Sequence, residues 1–255
     1  MTAILTFSLL ILLALTLVSL VNKLQNRKRI IRLKIQQLKT RVHELEDISL
    51  CIASLLESTD VPKLINEEII NLLQSIIQLD PESATLLSLN MKNAENLLNS
   101  YARGANPSSM NRIQPSDSAI AKHQYYLTEA GKLIRRHKNL GRIEEVEMQA
   151  HIKELAWAHL MVATVSQVAQ GHQALKRNEL LLAAGHYKGA HALVRNSSIT
   201  DEKRHRLLRE LNELIDGKRL ALSTDIMPET AYNPDSNQPQ PSAGIAAKDA
   251  HADDN

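Results

Sequence analysis

The chain has little of what most enzyme and nucleic-acid sites are built from. Of its 255 residues only one is cysteine, Cys51, so no internal disulfide can form and a reducing compartment suits it. Aromatics make up 3% of the sequence, with a single Phe at position 7 and a single Trp at position 157. Single-stranded nucleic acids are gripped by aromatic side chains interleaved with cations, and that interleaving is missing. There is no GxGxxG and no GxxxxGK[ST], so no glycine-rich loop could cradle a dinucleotide or nucleotide phosphate. There is no GxSxG for a serine nucleophile. Ten histidines are present, but neither HExxH nor a paired ExxH accompanies them. His151 shares a helical face with Glu147 and Glu154, which alone is too few donors for a metal. No catalytic residue, metal site or cofactor is expected, and the chain reads as a non-enzyme.

What is present is a long apolar run at the start. Residues 3 to 21 form nineteen positions without charge, Pro or Gly, thirteen of them Leu, Ile, Val or Phe. As a helix they would span about 28 Å, close to the ~30 Å hydrocarbon core of a bilayer. Leu9, Leu10, Ile11, Leu12, Leu13, Leu15 and Leu17 form its centre. A cleaved signal peptide would want a basic start and small residues at its exit, and the exit here is VSLVNK. The run is therefore expected to be a transmembrane anchor over residues 1–22. A basic collar follows, beginning with Lys23, Arg27, Lys28, Arg29, Arg32 and Lys34, and no acid occurs before Glu44. The positive-inside rule places the N-terminus outside and the rest in the cytoplasm, at the inner membrane if the cell is bacterial. The collar would also meet anionic lipid headgroups.

Net charge is +2, but its distribution is uneven. Residues 42–100 hold ten acids against two bases, and residues 101–222 hold nineteen bases against twelve acids. The fold class expected is all-α, since no segment alternates as a strand does. Residues 23–58 carry a heptad with Leu24, Ile31, Leu38, Leu45 and Ile52 at d and Ile35 and Val42 at a. The seam Ile31, Ile35, Leu38, Val42, Leu45 and Ile52 suits a parallel two-stranded coiled coil, hence a parallel homodimer. It suits equally a single helix lying on its own downstream domain. A helical hairpin is expected over 59–103, with helices at about 62–79 and 82–102 and Leu86 on the buried face of the second. Gly104 to Ser116, with Pro107 and Pro115, reads as a linker and a domain boundary.

The segment 117–222 is expected to be one helical domain. Its first helix runs 117–139 under a Ser116 or Asp117 cap and stops at Gly141. A long helical stretch follows over 143–184, interruptible at Gly171, with an apolar face that includes Val146, Ile152, Leu155, Leu160, Leu181 and Leu182. A short helix over 187–195 and a last one over 201–222, capped by Thr200, complete it. Residues 223–255, with four prolines and no apolar periodicity, read as a disordered tail.

The stretch Leu180 to Val194, LLLAAGHYKGAHALV, resembles the turn between the two helices of a tetratricopeptide repeat. Gly185, Tyr187 and Ala190 fall on its turn glycine, aromatic and small packing positions. The motif's Trp and Leu-Gly positions fall on Ala174, Arg177 and Asn178, and its terminal Pro on Glu202, so the resemblance covers about residues 174–197 only. It implies a helical hairpin in a partner-binding stack.

Taken together, these residues lead to the expectation of a membrane-anchored helical scaffold or adaptor that tethers a protein partner at the cytoplasmic face. The tentative partner surface is Arg135, Arg136, Lys138, Arg142 and Tyr187. The alternative is a membrane-tethered basic module for nucleic acid or an acidic protein, the scarcity of aromatics weighing against nucleic acid. The lipid bilayer and a protein are thus the partners expected.

Overall fold

The computed structural model describes residues 2–106, 108, 110–229 and 231–234, and for residues 2–18 it describes the helical backbone but not the side chains. Among the described residues the chain is all-α, with seven α-helices and no strand. They are α1 (Thr2–Leu55), α2 (Asp60–Leu79), α3 (Ala84–Ala102), α4 (Asp117–Asn139), α5 (Glu145–Lys176), α6 (Leu180–Asn196) and α7 (Glu202–Ile215). They form two compact units, one from residues up to Asp47 with Asn66–Asn99, the other from Ile48–Ile65 with the chain from Ser100 onward.

The first unit is built on apolar stripes of α1 and α2. Ile69, Leu73 and Ile76 recur at helical spacing and are buried. Within this unit Asn66 Nδ2 donates to the Ala94 carbonyl of α3 at 2.5 Å. Pro81–Ser83 form a single 3₁₀ turn before α3, where Asp80–Pro81 ends α2. The α3 stripe runs through Ala94, and Leu86 points the other way, 80% exposed, contrary to expectation.

The heptad seam divides along its length. Val42 and Leu45, in the first unit, and Ile52, in the second, are buried within the chain, whereas Ile31, Ile35 and Leu38 are only partly covered and Leu24 is 52% exposed. The C-terminal half of the seam is therefore an intrachain packing stripe and is not available to a second copy. The basic collar, Lys23 through Lys34, is exposed along the same helix. The anchor residues Leu9 through Leu17 lie outside the described side chains. No helix is long and apolar enough to cross a membrane among the described residues.

The second unit is layered. α5 packs against α4 on one side and α6 on the other, and α7 packs against α6. Its core gathers Met161, Val165 and Val168 of α5, Tyr187, Ala190 and Val194 of α6, and Leu207 and Leu211 of α7. α4 begins under Ser116, whose hydroxyl accepts from the Ala119 amide, and ends before Gly141 at φ +69°. α5 passes through Gly171 without a break. The chain turns instead at residues 177–179, through Asn178 at φ +60°, a left-handed conformation that Asn tolerates better than most side chains. Gly185 and Tyr187 accordingly sit inside α6 rather than at a turn. α7 is capped by Asp201, which accepts from the Lys203 amide at 3.1 Å, in place of Thr200, and it stops at Ile215 ahead of Gly217 at φ +69°.

Two stretches without helical periodicity turn out to be fastened down. In the expected linker, Asn106 Nδ2 donates to the Ala53 carbonyl at 2.6 Å, Asn111 donates its amide to the Ser54 carbonyl at 2.8 Å, and the Gln114 amide donates to Ser166 Oγ at 2.8 Å. The described residues between 104 and 116 are thus strapped down within the second unit. The expected tail begins later than residue 223. Ile226 and Met227 are buried in the core, and Glu229 forms a buried ion pair with Arg112, 2.8 Å from Nε to Oε1 and 3.0 Å from Nη2 to Oε2. Arg112 Nη2 also donates to the Ile226 carbonyl at 2.8 Å. Asn233 receives the Leu222 amide on Oδ1 and donates Nδ2 to the Leu222 and Met227 carbonyls. Residues 235–255 lie outside the described residues.

Glu229→Ala leaves the Arg112 guanidinium buried without its counter-charge, and such a loss costs about 3–5 kcal/mol. The melting temperature of the variant, read by far-ultraviolet circular dichroism, should fall by roughly 10 °C at the usual 2–4 °C per kcal/mol for this size. A fall of only a degree or two would show that the pair carries no weight in holding the C-terminal segment.

Candidate partner-binding groove

The three-helix layer of the second unit leaves an open groove of about 640 Å³ along α5, walled by α4 and α6. Its floor comes from α5 through Ile152, Leu155, Ala156, Leu160 and Ala163, with Leu127 and Gly131 of α4 and Gly189, Ala192 and Leu193 of α6 beside it. Small residues on all three helices keep the floor low. From Ile152 to Ala163 the floor runs about 17 Å at the helical rise, three turns long. The rim is polar, with Gln124, His159, Asn196, Ser197 and Ser198. Gln124 Nε2 donates to the His159 carbonyl at 3.3 Å, tying α4 to α5 at the groove's edge. Partial burial lowers the pKa of the His159 imidazole, favouring its neutral form. Among the described residues Arg135 is the one Lys, Arg, Asp or Glu in the lining.

The sequence-expected partner surface is therefore split. Arg135 belongs to the groove. Arg136 is exposed one residue on, Lys138 forms an ion pair with Glu145 at 2.7 Å, and Arg142 is exposed beyond the end of α4. Tyr187 is not a surface residue at all, being 3% exposed. Its hydroxyl shares a 2.8 Å hydrogen bond with His172 Nδ1, the two rings meeting edge to face, and burial raises its pKa. The ring lies over Gly171, where a Cβ would fall inside it. The tyrosine is thus the packing residue that lets α6 approach α5. The sequence places Ile152, Leu155 and Leu160 on an apolar helical face but does not mark that face as the floor of a groove. The signal available was the recurrence of Gly or Ala at positions 156, 163, 189 and 192.

Cys51 and His151, the other chemically suggestive residues, lie outside the groove lining. Cys51 is buried in the last turns of α1, and burial pushes its thiol up to about 12 despite an opposing pull from Lys122, so it is no nucleophile at neutral pH. His151 Nε2 lies 3.6 Å from Glu147 Oε1, and burial pushes the Glu154 carboxyl up. Among the described residues no three His, Cys, Asp or Glu side chains are grouped so as to hold a metal ion. Comparison with protein-family models, with curated proteins and with solved structures finds no match to this chain.

The His172 environment makes stability depend on pH. Burial, and secondarily the charge of Lys176, lowers its pKa from 6.5 to about 4. In that interval the unfolded chain binds a proton that the folded chain refuses, so the stabilisation is complete above pH 6.5 and is lost as pH falls towards 4. The full loss is on the order of 3 kcal/mol. Melting temperature should therefore drop between pH 6.5 and 5, and His172→Gln should flatten that slope. An unchanged slope in the variant would assign the acid sensitivity elsewhere.

Proposed function

We propose that this chain is a single-pass membrane-anchored helical scaffold that holds a protein partner at the cytoplasmic face of the membrane. The groove along α5 carries the partner half of the reading. It is open, apolar along its floor, three turns long, and free of acidic lining residues with Arg135 at its edge. Those dimensions suit a short amphipathic helix laid lengthwise, its apolar side on Leu155 and Leu160 and a carboxylate towards Arg135. The acid-free lining selects an acidic helix over a basic one by charge alone.

The anchor half is supported by the sequence, through the uncharged run from residue 3 to 21 and the exposed basic collar after it. Leu24, Ile31 and Ile35 remain at least partly open on α1, so a parallel homodimer would use only this membrane-proximal part of the heptad. Tethering raises the effective concentration of a bound partner near the bilayer, and no covalent step is needed.

A photo-crosslinking residue placed at Leu193 or Asn196 in the membrane-embedded chain should give one discrete one-to-one adduct, and the same residue at exposed Val146 should give none. Ala156→Trp, which fills the floor, should abolish the adduct, and Arg135→Glu should weaken partner binding about tenfold, equivalent to about 1.4 kcal/mol. Adducts that are indifferent to Ala156→Trp would reject the groove. Release of the chain from membranes by carbonate would reject the anchor.

A further inference from the structure

α6 contains no Asp or Glu, and its cations, Lys188 and Arg195, are exposed. Its buried side is Ala183, Tyr187, Ala190 and Val194. On the opposite side stand Leu181, Gly185, Lys188 and Arg195, at successive spacings of four, three and seven. The first turn of the helix presents three consecutive leucines outward. Leu181 is 92% exposed, and Leu180 and Leu182 are 49% each. The sequence pattern alone assigns Leu181 and Leu182 to a buried face, yet the core takes Ala183, Tyr187, Ala190 and Val194 from α6 and leaves these leucines outside it.

These leucines follow the turn at residues 177–179 between α5 and α6, and every residue from 176 to 182 is exposed. Lys176 and Arg177 flank it and are exposed. The one acid at the tip, Glu179, is held by the Arg177 guanidinium in a fork of 3.0 and 2.9 Å, so its charge is neutralised on the spot. A protein partner would have to offer a matching hollow, whereas a bilayer accepts exposed leucines anywhere on its surface. Cations beside exposed leucines, with no unpaired acid, complement anionic headgroups above an acyl layer.

We propose that the α5–α6 tip and the outer face of α6 rest on an anionic bilayer surface. Leu180, Leu181 and Leu182 enter the boundary between headgroups and acyl chains, and Lys176, Lys188 and Arg195 meet lipid phosphates. Three leucines and a few cations bind weakly by themselves. The proposal therefore rests on the anchored reading for the tether that makes so small a contact sufficient, though not for the contact itself.

The test uses the full chain reconstituted in vesicles of phosphatidylcholine with one-third phosphatidylglycerol, carrying an environment-sensitive fluorophore on Leu181→Cys. The native Cys51 is buried and does not compete for label. The label should shift to the blue and lose most of its emission to nitroxide lipids, while a label on Val146→Cys, at the far end of α5, should do neither. Lys176→Glu with Lys188→Glu and Arg195→Glu, all exposed positions, should abolish the quenching at 181, and so should vesicles of phosphatidylcholine alone. A label on Leu12→Cys reports the anchor separately. Quenching at 12 without quenching at 181 overturns this proposal and leaves the anchor standing; quenching at 181 without quenching at 12 does the reverse. A 181 label shielded by duplex DNA and indifferent to nitroxide lipids would assign the face to nucleic acid and also overturn it.

Discussion

The second unit depends on how closely α6 can approach α5. Gly171 lies directly beneath the Tyr187 ring, and Ala174, Ala183 and Ala190 are all buried in the same contact. An added methyl at 171 would occupy the ring's own space, so the helix-stabilising effect of Ala over Gly, about 1 kcal/mol, is outweighed by the clash. The approach in turn brings the Tyr187 hydroxyl to His172, which gives two buried polar groups a partner. With this pair fixed, α6 becomes one wall of the groove and the leucines of its first turn are left facing outward. Both features argued to be functional are therefore by-products of one small-residue contact.

Regular elements were legible wherever a cap or a wide apolar stripe marked them. Ser116 and Gly141 bracket α4 almost to the residue, and Asp80–Pro81 divides α2 from α3. Glycine misled. Gly171 and Gly185 invite a break, yet both serve inside helices, and the real turn runs through Asn178. The resemblance of Leu180–Val194 to a repeat turn failed for the same reason, because its aromatic, Tyr187, packs on Gly171 and its glycine, Gly185, lies on the open surface inside α6. A helical hairpin does exist here, but it reverses seven residues before Gly185.

The strap and the C-terminal segment were illegible for a different physical reason. Periodicity reports apolar burial, and these stretches are held by polar groups instead. Arg112 and Glu229, Asn106 against the end of α1, and Asn233 across a turn each satisfy buried backbone or charge without repeating in sequence. Glu210 acts similarly from inside α7, accepting from the Ser223 amide and hydroxyl while pairing with Arg206 and Arg219. Ion pairs between residues more than a hundred positions apart leave no local signature.

The heptad shows the limit of pattern from the other side, since one stripe can serve two masters. Val42 and Leu45, in the first unit, and Ile52, in the second, are already buried within the single chain, which removes them from any dimer seam. Leu24, Ile31 and Ile35, on the same stripe, stay at least partly open and lie among the cations of the collar. A second copy brought against them would have to bring Arg27, Lys28 and Arg32 near their counterparts, and like charges at that distance repel unless counter-ions or anionic headgroups intervene. Any pairing of the membrane-proximal stripe would therefore need an anionic surface beside it, the same surface proposed for the outer face of α6.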